Sequence, residues 1–377
     1  MAIFQGTNGD DSILRGSLSA GVVSDPPATG TETGVSNYID AGAGRDTIEA
    51  GNGDGDDFYR DGDEIHGGAG RDTITGGGGA DYIYGEGGND VIWGGDVAGW
   101  ADFIDGGDGN DVIHAADNLY NWIDGGAGAD KMYGGAYDDE FVVDNARDRV
   151  IEVTNTGYES VFASIARYTL PTNVEYLYFG FSERAQVGVG NRLSNGIYTS
   201  DGDDRLYGKG GDDTLWSEAG DDRLYGGDGN DTLYAGSGAD RLFGGSGRDE
   251  LNGGDGADRM VGGTGHDVFA FYDVSDSPAS QRDVIAPGDG AIAFEGAGRA
   301  AGDLIDLSYM DADLTTSDFV PFTFGGTGKG HLSLVDSGGF TLVRGNLDDD
   351  ASFEFQVLID DGNVRASAYT ADDFLLA

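Results

Sequence analysis

The sequence predicts an all-β chain, a parallel β-roll in which short strands stack turn upon turn, closed by a β cap at its C-terminal end. Three observations predict it: a nine-residue period, 70 glycines in 377 residues, and a large apolar residue at one fixed place in each period. Self-similarity at a short fixed period marks a solenoid, whose units bury their apolar faces only against one another. So much glycine beside 38% hydrophobic residues, with aromatics throughout and no three-residue period, excludes collagen and a plain linker.

The period is clearest from Thr199 to Ala270, which divides into eight nonapeptides without a gap. Position four is Gly in every unit, from Gly202 to Gly265. Position six is Asp204, Asp213, Asp222, Asp231, Asp240, Asp249, Asp258 and Asp267. Position eight is Leu206, Leu215, Leu224, Leu233, Leu242, Leu251, Met260 and Phe269. A three-residue strand at positions seven to nine sends the middle residue inward and its neighbours outward. Glycine at positions two and four admits the positive-φ backbone of a tight loop with inward carbonyls. Two nonapeptides then make one turn, with a loop on each side and same-side loops about 4.8 Å apart.

An earlier block carries the same pattern with Asp46, Asp72, Asp81, Asp90, Asp111, Asp130 and Asp139 at position six. Two places on stand Ile48, Ile74, Ile83, Ile92, Ile113, Met132 and Phe141. Here the units are interrupted, as in DVAGWADF (96–103) and NLYNW (118–122), and such insertions become loops. GTNGDDSI (6–13) is a stray half-unit around Asp11.

Acidic residues outnumber basic ones 69 to 21, giving a formal net charge of −48 that repels nucleic acid. Most of the acids are Asp at fixed spacing, which points to cation ligands rather than a merely solubilising surface. Without cysteine, neither a disulfide framework nor a thiolate metal site is open to the chain. Ca²⁺ takes six to eight oxygens and mixes carboxylates with backbone carbonyls, as these loops offer them. The fifteen position-six aspartates are therefore the expected ligands of multiple calcium ions lying between same-side loops. Four loops per side leave three gaps, so the second block is expected to hold about six ions.

The units GGDGNDTLY (226–234) and GGAGRDTIT (67–75) resemble the RTX (repeats-in-toxin) family, whose nonapeptide binds Ca²⁺. Lys209 and Glu218 replace the second-position Gly, a change that leaves the backbone carbonyls in place. Tyr137 replaces the fourth-position Gly and sets the loop of Asp139 apart. From Phe271 onward, GDLIDLSYMDAD (302–313), FTFGG (322–326) and YTADDFLLA (369–377) resemble the C-terminal cap of serralysin-type secreted proteases. That resemblance implies an uncleaved signal for type I secretion, with Asp372 and Asp373 before Phe374, Leu375 and Leu376. A plain capping role is compatible with it, since a solenoid needs a cap.

The expected organisation is an N-terminal cap (1–40), a first β-roll block (41–143), a connector (144–198), a second block (199–270) and the C-terminal cap (271–377). In the connector, FVVDNARDRVIEVTNTGYESVFASIARYTLPTNVEYLYFGF (141–181, overlapping the first block) alternates as β-strands do. We read the connector as solenoid that continues without metal, with a small separate domain as the rival. The N-terminus has neither a basic n-region nor an apolar h-region, so no Sec-type signal is expected. No run approaches the roughly 18 apolar residues of a membrane helix.

No catalytic constellation stands out. His66, His114, His266 and His331 are scattered, H-E-x-x-H and G-x-S-x-G are both missing, and the calcium loops account for the paired carboxylates. The chain is expected not to be an enzyme.

One surface feature lies outside the calcium pattern. Every second unit shares a sheet, so Arg205, Arg223, Arg241 and Arg259 form one column at position seven. Tyr207, Tyr225, Phe243 and Val261 stand beside them at position nine. The other face carries Thr214, Thr232, Glu250 and Val268 with Trp216, Tyr234, Asn252 and Ala270. Cation–π contacts of about 0.5–1 kcal/mol would account for the arginines locally. The functional expectation is a face that meets a cell-surface glycan or an acidic surface of another copy.

The function expected is a secreted, calcium-binding structural protein of the cell surface: an S-layer-like coat, a matrix filament or an adhesin capable of self-assembly. Its partners would be calcium, the type I secretion machinery, other copies or a glycan. In a low-calcium cytosol the stacked carboxylates repel and the repeats stay unfolded; calcium outside couples binding to folding. The alternative is a non-catalytic accessory or targeting module of a separate secreted hydrolase or epimerase.

Overall fold

The computed structural model describes residues 2–14, 17–18, 23–25, 37–50, 62–95, 101–116, 120–153, 156–288, 294, 302–312, 319–348, 350, 352–362 and 364–376. The insertions at 96–100 and 118–119 lie outside these. The chain forms two compact units, Met1–Tyr178 and Phe179–Ala377. Among the described residues the secondary structure is β-strand with three short 3₁₀ turns, and no helix is long and apolar enough to cross a membrane.

In the first unit two stacks of parallel strands face each other. One runs through Asn37–Gly44, Glu64–His66, Tyr82–Tyr84, Phe103–Asp105, Trp122–Asp124, Glu140–Val143 and Ser160–Ala163. It places Ile39, Ile65, Ile83, Ile104, Ile123, Phe141 and Val161 in register. The other stack aligns Ile13, Ile48, Ile74, Ile92, Ile113, Met132 and Val150. All fourteen side chains are buried, and together they fill the core between the stacks. Each such burial contributes about 1.5–3 kcal/mol, so the single-residue columns carry the unit.

The regular stack starts ahead of the first full nonapeptide. Ala2–Thr7 pairs in parallel with Asn37–Gly44, bringing Phe4 onto Ile39. It also continues past the last one in this unit, since Arg149–Ile151 pairs with Lys131–Tyr133 and Ser160–Ala163 with Glu140–Val143.

The second unit repeats the design at an 18-residue period. Arg205–Gly210, Arg223–Asp228, Arg241–Gly247 and Arg259–Gly265 form one stack. Gly196–Tyr198, Thr214–Trp216, Thr232–Tyr234, Glu250–Asn252 and Val268–Ala270 form the other. The cap extends both. Val284–Ile285 pairs with Arg259–Met260, and Leu304–Asp306 with Val268–Ala270. Phe374–Leu375 then pairs with Ile305–Asp306. An antiparallel hairpin, His331–Ser337 with Phe340–Asn346, joins through Phe355–Ile359. Asp373 is buried and accepts the Thr370 N–H at 2.7 Å, and Phe374 packs 5.2 Å from Phe324. The terminal acidic-apolar patch is thus built into the cap.

Four residues expected to face solvent are covered. Asn252, Val261, Val268 and Ala270 are all buried. The alternation holds, but Asn252 Nδ2 donates to the Ala270 carbonyl at 2.9 Å and the Tyr272 hydroxyl reaches Glu250 at 2.9 Å. The chain leaving the last repeat has folded back over that end of the face carrying Glu250, and on the arginine face Gly288 lies against Val261.

Candidate metal centre

The position-six aspartates form ladders along both sides of each unit. In the second unit the Asp204 N–H donates to Asp222 Oδ1 at 2.7 Å, Asp222 to Asp240 at 2.7 Å, and Asp240 to Asp258 at 2.8 Å. Opposite them Asp213 donates to Asp231 at 2.8 Å, Asp231 to Asp249 at 2.9 Å, and Asp249 to Asp267 at 3.1 Å. In the first unit Asp46, Asp72, Asp90, Asp111 and Asp130 connect in the same way at 2.7–2.8 Å. Asp81 donates to Asp102 Oδ1 at 3.0 Å, on the side that also holds Asp139.

One carboxylate oxygen is thereby satisfied and the other is not. In thirteen of the fifteen aspartates, all but Asp139 and Asp267, Oδ2 is buried and has no hydrogen-bond donor. A buried anionic oxygen without a partner costs far more than a neutral one, so these columns call for cations or protons. Burial is the largest cause raising the carboxyl pKa values, ahead of neighbouring ladder carboxylates. Asp46, Asp72, Asp204 and Asp231 rise to about 6, and Asp213 and Asp240 to about 8. The expected like-charge repulsion is therefore present but second to desolvation.

Glycine makes the arrangement possible at two places. A Cβ at Gly226, position one, would lie 2.3 Å from Asp231 Oδ2 and 2.6 Å from the Gly244 carbonyl oxygen. Those two oxygens converge on a space that only glycine leaves open. At position four, Gly229 has φ +138°, and a Cβ there would lie 2.0 Å from the Gly211 carbonyl oxygen. The loops stack so closely that their backbones pair: Gly229 N–H donates to Ser246 O, and Ser237 N–H to Glu218 O, both at 2.8 Å. Lys209 (φ 82°), Glu218 (68°) and Glu86 (67°) keep the left-handed conformation at position two, so their carbonyls stay in register.

Asp139 stands apart. Its Oδ2 accepts the Gly135 N–H at 2.7 Å and its Oδ1 the Asn121 N–H at 2.9 Å. Tyr137 is not among the positive-φ residues.

Sequence reasoning missed several rungs. Asp63, Asp102, Asp148, Asp283 and Asp303 accept a ladder N–H as the nonapeptide aspartates do. Asn121, on the ladder between Asp102 and Asp139, does the same through its amide oxygen. Gln186 and Asn195 take the equivalent place at the start of the second unit. The signal was available: Asp63, Asp102, Asn121, Asp148, Asp283 and Asp303 each precede a buried Ile or Val by two residues. Cutting at nine residues missed them because the loops before them are longer or lack the glycines.

The arginine column is in register, Arg205 beside Arg223, Arg223 beside Arg241, and Arg241 beside Arg259. The aromatic rings next to it stack on one another, with Tyr207–Tyr225 and Tyr225–Phe243 centroids both 4.9 Å apart and nearly parallel. Among the described residues none of the four arginines makes an ion pair or a cation–π contact; the cation–π contact found is Arg344 over Phe353. The local explanation for the column does not hold. Elsewhere, Asp348, Asp350 and Glu354 cluster between the strands Phe340–Asn346 and Phe355–Ile359, their oxygens held by N–H groups of that same connection.

Stacked Gly-Asp loops on a parallel β-solenoid define a calcium-binding β-roll. Residues 33–58, 60–97, 101–118, 120–148, 198–233 and 234–269 match the sequence model of the RTX calcium-binding nonapeptide repeat. These stretches are RTX calcium-binding nonapeptide repeats. Two solved structures are similar: the AlgE6R3 and AlgE6R2 subunits of the Azotobacter vinelandii mannuronan C5-epimerase, both 24% identical. The first covers 52% of this chain and 79% of its own, with a TM-score of 0.23; the second covers 50% and 93%, with a TM-score of 0.28. No curated protein matches the chain by sequence.

Proposed function

We propose that the chain is a secreted calcium-binding structural protein of the cell surface, folded by the calcium it meets outside the cell. The observation that carries this reading is the row of thirteen buried, donorless carboxylate oxygens. Asp46, Asp72, Asp81, Asp90, Asp111, Asp130, Asp204, Asp213, Asp222, Asp231, Asp240, Asp249 and Asp258 would each offer Oδ2, with loop carbonyls completing an all-oxygen shell. Asp267, whose Oδ1 accepts the Asp249 N–H on the same ladder, belongs with them. Asp139, already holding two N–H groups, falls outside the set.

Calcium supplies the positive charge that offsets the buried anions, and its binding energy then becomes folding energy. RTX repeat proteins are typically secreted, and low cytosolic calcium would keep the repeats extended until export. A coat, filament or adhesin fits a chain whose bulk is scaffold.

Far-UV circular dichroism at pH 8 tests the folding step. In chelator the spectrum should be mostly coil and should convert to β as Ca²⁺ is added; full β-structure in chelator overturns the reading. Electron microscopy with and without calcium tests assembly. Ordered polymers support the structural role, and monodisperse particles at millimolar calcium count against it.

A further inference from the structure

We propose that the arginine column of the second unit is a binding track for a linear anionic glycan carrying one carboxylate or sulfate on each sugar. This goes beyond the calcium-folded scaffold, although it needs that scaffold formed.

The column consists of Arg205, Arg223, Arg241 and Arg259 at consecutive rungs of one sheet. Rungs of a parallel sheet repeat about every 4.8 Å, close to the length of one sugar residue. Arg205 and Arg241 are exposed and Arg223 and Arg259 half-buried, so the cations are accessible from the same side. Aligning four like charges at that spacing is unfavourable unless something neutralises them. Nothing described within the protein does so.

In a chain with 69 acidic and 21 basic residues, leaving four arginines in line without a carboxylate partner is a costly use of positive charge. The planar guanidinium groups suit carboxylate and sulfate, which they bind through paired hydrogen bonds. The stacked Tyr207, Tyr225 and Phe243 give the track an apolar edge on which the C–H groups of a sugar chain can lie.

Charge spacing selects the occupant. A nucleic-acid duplex packs its phosphates more densely, one per about 1.7 Å of its axis, and would meet the field of a −48 protein on every flank. A polymer with one charge per sugar matches the rungs one to one and keeps its excess charge low. Another copy of this chain fits less well. Its exposed position-five acids, such as Asp203, Asp212 and Asp221, are engaged in turn, accepting N–H groups from Asp221, Asn230 and Ala239.

The test uses the full calcium-loaded chain and immobilised chondroitin sulfate, with one charge per sugar. Hyaluronate, with one charge per disaccharide, dextran and double-stranded DNA serve as comparisons. Chondroitin sulfate should bind in a salt-sensitive way and at least tenfold more tightly than hyaluronate, with dextran and DNA not bound. R223S/R241S should lose at least tenfold in affinity while its calcium-induced circular dichroism is unchanged. K131S/R149S, which removes the same charge from the first unit, should bind as the native chain does. Unchanged binding in R223S/R241S, equal loss in K131S/R149S, or equal binding to DNA would each overturn the proposal. So would self-association that R223S/R241S abolishes in sedimentation runs without glycan binding, since the occupant is then another copy. Failure of the calcium-induced fold itself would register separately, in the circular dichroism.

Discussion

Two kinds of rung sit side by side in this solenoid. In the glycine-rich loops around Asp222 or Asp231, loop N–H groups are spent on the next loop, as Gly229 is on Ser246 and Ser237 on Glu218. The aspartate Oδ2 is then left without a donor. In the irregular loops the N–H turns back on its own rung. Thr7 donates to Asp11 Oδ2 at 2.7 Å, Gly135 to Asp139 Oδ2 at 2.7 Å, Asn145 to Asp148 Oδ2 at 2.9 Å, and Asn191 to Asn195 Oδ1 at 2.7 Å. The strands and buried column are alike in both. The difference teaches that glycine does more here than permit tight turns. By letting loops stack into a further ladder it uses up the local donors, and a cation must take their place.

Acidification should give the largest effect. Burial holds the open-rung carboxyls at about 6 to 8, above the ordinary value near 4. The metal-free fold therefore binds more protons than the coil. Its stability is fully present below about pH 4 and is lost as pH rises through the folded-state values. In chelator, far-UV circular dichroism should show β-structure growing as pH falls from 8 to 5. Calcium-loaded protein should show the opposite trend in affinity, protons competing for the same oxygens.

Next in size is a pair of substitutions. Asp231→Asn keeps an Oδ1 acceptor for the Asp213 N–H but removes the open anionic oxygen. The calcium midpoint should rise about tenfold, since affinity follows the ligand charge count. Asp148→Asn, in a self-closed rung, should move it less than about twofold. Equal shifts in calorimetric titrations would erase the distinction between the rungs.

The smallest expected effect lies on the outer face. Tyr225→Ala removes two ring stacks, each worth about 0.5–1.5 kcal/mol. The melting temperature in calcium should fall by a few degrees with the calcium midpoint unchanged.

How much of this could be read from the sequence depended on which physical constraint each residue obeys. The inward column and the loop glycines were legible because a buried position and a positive φ each admit few residue types. Eight gapless units fixed the register of Leu206 through Phe269. Asp63, Asp102 and Asp283 escaped because a solenoid fixes the rung and leaves the loop length free. Asp148 and Asn195 were hidden within a connector read as metal-free. Their place on the ladder depends on an N–H donated by a residue 18 positions away or to one, as between Asp130 and Asp148 or Asn195 and Asp213. The lack of partners around the arginine column was also beyond sequence, because it depends on where neighbouring aromatics turn.

The most direct test is a crystal structure grown in calcium, with anomalous data to locate the ions. Calcium should lie beside Oδ2 of the open rungs, Asp222, Asp231, Asp240 and their ladder neighbours, and be absent beside Asp139, Asp148 and Asn195. Ions at the self-closed rungs, or open rungs that stay folded and empty, would contradict the claim that the donorless oxygens are what calcium serves.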